Sequence, residues 1–276
     1  MPRCLILTNQ LFLHNNSMKK ILSLSLILMI TLSVYGETFE GGVSERGNAT
    51  HSSRIIDKET GRGIGGAKIK LPKQNYQTKT NKDGYFELDT SINSPSIISV
   101  EKDKYKPYTM TIDKDSASKP LVVGIEKSSA ADISIDVNMH HLGDNTYSEL
   151  SANAEEFRGD STGPFYTKNF MLRNINLSKP VYLVIGSIMG IDTLMARTMG
   201  QNKYPNSYAS PPEVYFNGNK IAEIQINGDG QKIKIPPSLV KKNQQNEVTI
   251  KTGRNLMQTS YVDYDDIEFM NLMIEN

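Results

Sequence analysis

Four carboxylates crowd into six residues near the end of the chain, at Asp263, Asp265, Asp266 and Glu268. Carboxylate oxygens are the ligands that calcium prefers, and the ion takes several of them in flexible geometry. Alternate carboxylates are also typical of the solvated face of a strand, or of an edge strand whose charges prevent pairing with another chain. The spacing alone leaves both interpretations open.

Aromatic residues in irregular segments are the second group that could do chemistry. Sugar recognition usually combines an aromatic ring, which stacks on the apolar face of a pyranose, with amide or carboxylate groups that fix the hydroxyls. Trp, the usual ring, is absent here, while Tyr numbers 13. Loops often carry binding residues, although a tyrosine packed over the edge of a core is at least as common. The carbohydrate-binding candidates are Tyr204, Tyr208, Tyr166, Arg197 and Asn202.

The histidines do not have the spacing of a zinc enzyme. A zinc carboxypeptidase needs His-x-x-Glu and a distant His, so that two nitrogens and a carboxylate meet on one ion. None of the four histidines fits that pattern. His140 and His141 are neighbours on a predicted strand, so their side chains point to opposite faces. We expect ordinary surface or rim positions for both.

Two further patterns have the residue types of a catalytic or a nucleotide-binding motif but not the structural context that the motif needs. Ser116-Ala-Ser-Lys119 has the Ser-x-x-Lys spacing, but that chemistry needs a buried helix, and Pro120 with its flanking loop argues against one. The run GRGIGG at residues 61–66 is G-x-G-x-x-G, yet the alternating residues 67–71 predict a strand where a nucleotide site needs a helix N-terminus. These two patterns therefore predict neither a nucleotide site nor a catalytic one, although a hydrolase or lyase of another kind stays an open alternative.

The composition favours strands. The chain has 31 basic and 30 acidic residues and a net charge of +1. Because the charges nearly cancel, no positive electrostatic field attracts nucleic acid. Ser, Thr, Asn, Ile and Val recur between turn residues, and β-branched and aromatic residues suit strands. We predict an all-β protein that binds no nucleic acid.

Residues 18–36, MKKILSLSLILMITLSVYG, have the pattern of a secretory signal peptide cleaved after Gly36. Its uncharged run is too short to span a bilayer, so we expect no transmembrane segment after cleavage. Residues 1–17 are an odd prefix, which makes Met18 the expected natural start. The single cysteine, Cys4, lies in that prefix, and the mature chain is expected to fold without disulfides. We expect a secreted, periplasmic or cell-surface protein.

Period-two hydrophobicity organises the rest of the chain. Residues 37–51 are polar and glycine-rich, typical of a linker. Seven short strand-like runs follow between residues 54 and 125, separated by turn signals at the spacing of an antiparallel sandwich. A second β unit begins with the clean alternation of residues 132–139. In it we predict strands at 170–177 and 181–188, the latter buried on both faces, and a hairpin at Asn217-Gly218.

The first unit resembles a known family. The run I-I-D-x-E-T-G-R-G-I-G-G-A-K-I-K-L, then T-x-T-N-K-D-G-Y-F-E-L and V-E-K-D-K-Y-K-P-Y, is similar to the carboxypeptidase regulatory-like domain over residues 52–127. The resemblance implies a seven-stranded transthyretin-like sandwich in which the glycines at 61–66 form the turn into the second strand. Ser53 departs from the family, which usually has Gly before the first strand.

The second unit, residues 132–276, resembles the galactose-binding-like jelly roll of carbohydrate-binding modules. The similar runs are V-Y-F-N-G-N-K-I, I-K-I-P-P-S-L-V-K-K-N-Q-Q-N-E-V-T-I and D-Y-D-D-I-E-F-M-N-L-M-I-E. The resemblance implies a structural calcium near the last strand, with Asp263, Asp266 and Glu155 as the candidate ligands. A transthyretin-like module before such a jelly roll is similar to the non-catalytic half of rhamnogalacturonan lyases.

These patterns together predict a secreted, non-catalytic binding protein. We expect its C-terminal jelly roll to recognise a polysaccharide or another glycan through its loops. The alternative is a structural or assembly module of the cell envelope that contacts other proteins.

Overall fold

The computed structural model describes residues 52–147, 151, 157–202 and 208–276. The predicted extension (1–17), signal peptide (18–36) and linker (37–51) lie outside these ranges, as do the candidate residues Glu155 and Tyr204. Within the described ranges, no helix has the length and apolar composition that crossing a membrane requires.

The described residues form an all-β structure, as the alternating hydrophobic pattern predicted. Two helices of a single turn, α1 (Lys114–Ala117) and α2 (Leu194–Thr198), interrupt it. The strands are β1 (Ser53–Asp57), β2 (Lys68–Leu71), β3 (Tyr76–Lys79), β4 (Tyr85–Phe86), β5 (Ser96–Glu101), β6 (Tyr108–Ile112), β7 (Val122–Ile125), β8 (Ile133–Leu142), β9 (Phe165–Met171), β10 (Val181–Met189), β11 (Glu213–Phe216), β12 (Asn219–Glu223), β13 (Gly228–Ile235), β14 (Gln245–Lys251) and β15 (Ile267–Glu275).

Strands β1–β7 form the first sandwich, with the seven strands that the sequence predicted. One sheet has the order β4-β1-β7 and the other β3-β2-β5-β6. β1 and β7 run parallel, and the other pairs are antiparallel. Alternate residues such as Ile55, Ile69 and Ile98 point into the shared core and are fully buried. Removing these apolar side chains from water is the main stabilising term of this unit.

The GRGIGG run forms the turn between β1 and β2. Gly61 and Gly66 have φ of 69° and 68°, the left-handed region that glycine adopts without strain. A Cβ at Gly63 would lie 1.9 Å from the carbonyl oxygen of Asp83, so the neighbouring hairpin can approach only a glycine. The prediction of a turn is therefore confirmed.

Strands β8–β15 form the second sandwich in jelly-roll order. Its two sheets are β13-β10-β15-β8 and β12-β11-β14-β9, all antiparallel. The predicted hairpin turn is confirmed, because Asn217 and Gly218 both have positive φ, 49° and 78°, between β11 and β12. The core between the sheets is aliphatic, with Phe216 and Phe269 as its largest buried rings.

The two sandwiches stack so that four sheets lie in layers. Ile97 on the outer face of β5 packs against Met189 and Met270 of the second sandwich, with Phe157 beside them. The central strands β10 and β15 are consequently buried along nearly their whole length. This confirms the prediction that the run 181–188 is covered on both faces, and the covering layer is the first sandwich.

One local prediction was wrong. The strand expected at 170–177 lies at Phe165–Met171, because β9 is an edge strand with exposed side chains at most positions, so a regular apolar alternation does not mark it. The structure also has a single-turn helix after Asp192, α2, which the sequence analysis did not predict. Ser116 lies in the exposed single-turn helix α1, which ends before Lys119, so the prediction that the Ser-x-x-Lys pattern lacks a buried helix is confirmed, and the Ser116 hydroxyl donates to Asp113.

Candidate functional site

The acidic residues near the C-terminus gather inside one end of the jelly roll. Asp192 follows β10 and Asp265 precedes the neighbouring strand β15, so antiparallel pairing of these strands brings the two residues together. Both side chains are completely buried, and the N–H of Asp192 donates to Asp265 Oδ2 at 3.2 Å. Asp263, Asp266 and Glu268 are also buried. The interpretation of these carboxylates as a solvated strand face is therefore wrong.

Burial and the charge of Asp192 raise the pKa of Asp265 well above its usual value. Two carboxylates that share a dry site cannot both keep their charge unless something compensates it. Either one proton or a bound cation can do so. Asp265 Oδ1, fully buried, has no hydrogen-bond partner among the described residues, which leaves an oxygen available for either role.

The predicted calcium ligands have different surroundings. Asp263 Oδ2 accepts a hydrogen bond of 3.0 Å from the Asn255 amide. Asp266 Oδ1 accepts from His141 at 2.8 Å and from the N–H of Asn145 at 3.1 Å. Within the described ranges, no three Asp, Glu, His or Cys side chains are grouped so that they could hold a metal ion.

His141 is part of the buried structure and not a surface residue as predicted. Its Nε2 faces the Asp266 carboxylate, and its Nδ1 lies 2.5 Å from the carbonyl oxygen of Gly159. Both partners present oxygen acceptors, an arrangement that favours the imidazolium form of the ring, with hydrogen on both nitrogens. Burial alone would lower the pKa of His141, but these two hydrogen bonds raise it. A ring held in this way is an ion-pair partner, and it is not free to act as a base.

Tyr166 and His140 belong to a separate cluster at the β8–β9 edge of the jelly roll. The Tyr166 hydroxyl donates to Asp136 Oδ2 at 2.9 Å, and Lys168 binds the same oxygen at 3.2 Å. Burial alone would raise the pKa of Asp136, but hydrogen bonds from the Asn138 N–H and these two groups lower it to about 2. The Tyr166 ring packs on Phe269, inside the core. Tyr166 therefore joins the two sheets and is not brought together with Tyr208.

Arg197 and Tyr208 are brought together, as the sequence analysis grouped them. The Arg197 guanidinium carbon lies 4.0 Å from the centre of the Tyr208 ring, a cation–π contact. Tyr208 also connects two loops, because its carbonyl oxygen accepts from the N–H of Leu256 at 3.3 Å. Asn202 is half-buried on the same loop, four residues beyond the end of α2.

The loops around this pair expose apolar side chains that the sequence analysis missed. Seven of the thirteen large exposed hydrophobic residues among those described lie in just two segments. They are Leu194, Met195 and Met199 on and after α2, and Leu256, Met257, Tyr261 and Val262 in the loop before β15. We call these seven residues with Arg197 and Tyr208 the loop-end surface. A local excess of Leu and Met in a segment without period-two alternation was the available sequence signal.

The fold places this chain in the class of all-β proteins built from paired β-sandwiches. Its second sandwich carries an apolar loop-end surface and a buried acidic cluster. A scan against models of protein families finds no match. No curated protein matches the sequence either. Among solved structures, the chain is similar to a candidate carbohydrate-binding protein from Bacteroides uniformis ATCC 8492, with 10% identity over 82% of this chain and 97% of that chain. The TM-score is 0.22, too low for this likeness to bear on the ligand of the present chain.

Proposed function

We propose that this chain is a non-catalytic binding protein that works outside the cytoplasm and recognises carbohydrate through its loop-end surface. The observation that carries the proposal is the Arg197–Tyr208 contact of 4.0 Å. The guanidinium holds the ring in one orientation on a loop, and an oriented ring can stack on a pyranose with little loss of side-chain entropy. Arg197 supplies donors for hydroxyl groups beside that ring.

A second aromatic residue stands near this pair. Tyr261 is 56% exposed, in the loop that Leu256 connects to Tyr208. It lines a shallow pocket of about 270 Å³ together with Arg254 and Gln258. Tyrosines flanked by guanidinium and amide groups provide the combination of apolar face and hydrogen bonds that a sugar ring requires.

A glycan array probed with the full chain tests this proposal. We expect binding to at least one polysaccharide, and we expect Tyr208→Ala to abolish it. The matched control is Tyr85→Ala, because Tyr85 is an exposed tyrosine with its own arginine, Arg54, at 4.9 Å in the first sandwich. Equal loss in both variants, or no binding to any glycan, would overturn the assignment.

The aliphatic character of the loop-end surface favours a second candidate function. Leu256 and Met257 are 61% and 75% exposed, and exposed Leu and Met side chains are more typical of protein interfaces than of sugar sites. In this alternative the surface docks another envelope protein. Chemical cross-linking in the native host distinguishes the two, because the double variant Leu256→Ser, Met257→Ser should lose the cross-linked partner while Tyr85→Ala keeps it.

A calcium ion remains part of the proposal. Asp192 and Asp265 fit a cation because both carboxylates are buried and one oxygen lacks a partner. The further oxygen ligands would have to be backbone carbonyls or water, since two carboxylates do not complete a calcium shell. When bound, the ion would neutralise the pair and fix the loops on either side of it. Glu155, predicted as a ligand, stays a prediction.

A further inference from the structure

A cleft lies between the two sandwiches, away from the loop-end surface. Its volume is about 350 Å³, at the lower end of the range of small-molecule sites. The first sandwich contributes Tyr108 and Thr109 of β6, and the second contributes Gly186 of β10 and Asn271 of β15. Sites between packed units are common ligand positions, because each unit contributes one wall.

Gly186 lets the two units approach at the base of this cleft. A Cβ at this position would lie 2.3 Å from Thr109 Oγ1 and 2.8 Å from Asn271 Nδ2. Thr109 and Asn271 therefore face each other across the bare backbone of β10. Neighbouring contacts fix this geometry, since Asp229 of β13 accepts hydrogen bonds from the Thr111 N–H at 3.0 Å and from the Ser187 hydroxyl at 2.7 Å.

The backbone of β15 is irregular where Asn271 enters the cleft. Asn271 has φ of 64°, unusual for a residue within a strand, and the pairing of β15 with β8 shifts register between Met270 and Leu272. Such bulges turn a side chain away from its regular direction and are common beside functional sites. The Asn271 amide nitrogen donates to the Pro107 carbonyl oxygen at 2.8 Å, which joins the two sandwiches.

Two polar oxygens at the base of the cleft have no hydrogen-bond partner within the described part of the chain. They are Thr109 Oγ1 and Asn271 Oδ1, on side chains of residues that are 4% and 3% exposed. Because the amide nitrogen of Asn271 donates to the Pro107 carbonyl oxygen, the amide oxygen of Asn271 points away from Pro107. A buried polar group without a partner is costly. A ligand or a water molecule in the cleft can supply the missing hydrogen bonds.

The walls of the cleft have no net charge. Lys58, Lys106 and Lys232 are matched by Glu126, Asp229 and Glu275. Lys58 binds Glu126 at 2.6 Å and Lys106 binds Glu275 at 3.1 Å, while Lys232 also binds Glu275. Paired charges of this kind attract neither an anion nor a cation strongly, yet they offer donors and acceptors side by side. A hydroxyl group can use both at once.

We propose that this cleft binds one neutral sugar unit. The Thr109 hydroxyl and the Asn271 amide oxygen bind its hydroxyl groups, and the partly exposed Tyr108 ring covers its apolar face. The inference goes beyond the proposed function, because the cleft and the loop-end surface share no residue and either can bind without the other.

Thr109→Val tests the site, because it removes the unpartnered hydroxyl and keeps the branched shape. The probes are glucose, galactose, mannose and xylose, each titrated into the full chain and followed by saturation-transfer NMR. For a sugar that binds, we expect about a tenfold loss of affinity in Thr109→Val, since one hydrogen bond is worth about that factor. Ser99→Ala is the matched control, as Ser99 lies opposite Thr109 on β5 and also has a buried hydroxyl without a partner.

Further variants keep the proposal falsifiable. Thr109→Val should keep or raise the melting temperature without sugar, and Tyr108→Ala, which changes a partly exposed ring, should weaken the same sugar. Binding that Tyr208→Ala abolishes and Thr109→Val leaves intact would overturn the cleft site without touching the loop-end proposal. Failure of all four sugars to bind, or an equal loss in Ser99→Ala, would also overturn it.

Discussion

The main-chain N–H of Asp192 donates to the carboxylate of Asp265 at 3.2 Å, and both side chains are excluded from solvent. Two carboxylates buried side by side repel each other when both are charged. We therefore expect the protonation of this pair, and the calcium ion proposed above, to change the stability of the fold.

Asp265→Asn tests this linkage through calcium. The substitution keeps the shape and removes one buried charge, so without calcium we expect it to stabilise the fold at neutral pH by about 1 kcal/mol or more. Adding CaCl2 after EDTA treatment should raise the melting temperature of the unsubstituted chain, because a ligand that binds only the folded state stabilises it. The variant should show no such rise.

Asp103→Asn is the control for this experiment, since Asp103 is an exposed acidic residue of the first sandwich. It should respond to calcium like the unsubstituted chain. A melting temperature that calcium leaves unchanged would rule out the metal and leave a proton shared by the two carboxylates.

The pH dependence of stability should reflect His141. Its pKa is raised in the folded state, so its stabilising contribution is complete below the unfolded value of 6.5 and is lost as the pH rises through the folded value. The raised pKa of Asp265 acts in the same direction, with its loss beginning above the unfolded value of 3.8. We expect the melting temperature to fall steadily from about pH 6 to pH 9 in calcium-free buffer.

His141→Gln should remove part of this slope. It also leaves the buried Asp266 carboxylate without its counter-charge. We therefore expect the free energy of unfolding, measured by denaturant titration near pH 6, to fall by roughly 3 kcal/mol. A variant as stable as the unsubstituted chain at that pH would show that the imidazole is uncharged.

Gly186→Ala should destabilise the packing between the sandwiches. The added methyl group would lie 2.3 Å from Thr109 Oγ1, so a strand must shift, at a cost of about 1–3 kcal/mol in the free energy of unfolding. Gly124→Ala is the matched control, because its methyl group would meet Lys58 at an ordinary 3.5 Å. Equal stabilities of the two variants in urea would show that the inner sheets are not in close contact.

The loop-end surface should be independent of folding stability. Leu256→Ser with Met257→Ser changes two side chains that already face water, so we expect the free energy of unfolding to change by less than about 0.5 kcal/mol. Fluorescence of the dye ANS, which reports exposed apolar surface, should decrease in the double variant. Unfolding of the variant at lower urea would mean that these side chains pack within the loops.

Much of the fold was predictable because alternation of apolar and polar residues is a local signal. The alternation around Ile55 and Ile69, and the Asn217-Gly218 turn, are set by neighbours along the chain and were placed correctly. β9 was misplaced because an edge strand exposes most of its side chains and carries little apolar period. The all-β sandwich architecture therefore follows from the local alternation of apolar and polar residues.

The sites were less predictable because they depend on contacts between distant segments. The sequence around Asp265 and Glu268 suggests an exposed strand, yet both residues are buried, and Asp265 lies against Asp192, which is distant in the chain. Tyr166 and Tyr208 look alike in sequence, yet one joins two sheets and the other meets Arg197. Nothing near Thr109 in the sequence indicates that Asn271 lies across a cleft from it.

The layered stacking of the sheets limits how this protein can be divided. Met139, Met189 and Met270 pack in one cluster with Ile97 of the first sandwich and with Phe157. A fragment that starts at residue 132 would present those methionines to water, and it would be expected to self-associate. Gene fusions or domain exchanges that break the chain between the two sandwiches would therefore reduce solubility, unless the domain that replaces the first sandwich covers the same methionines.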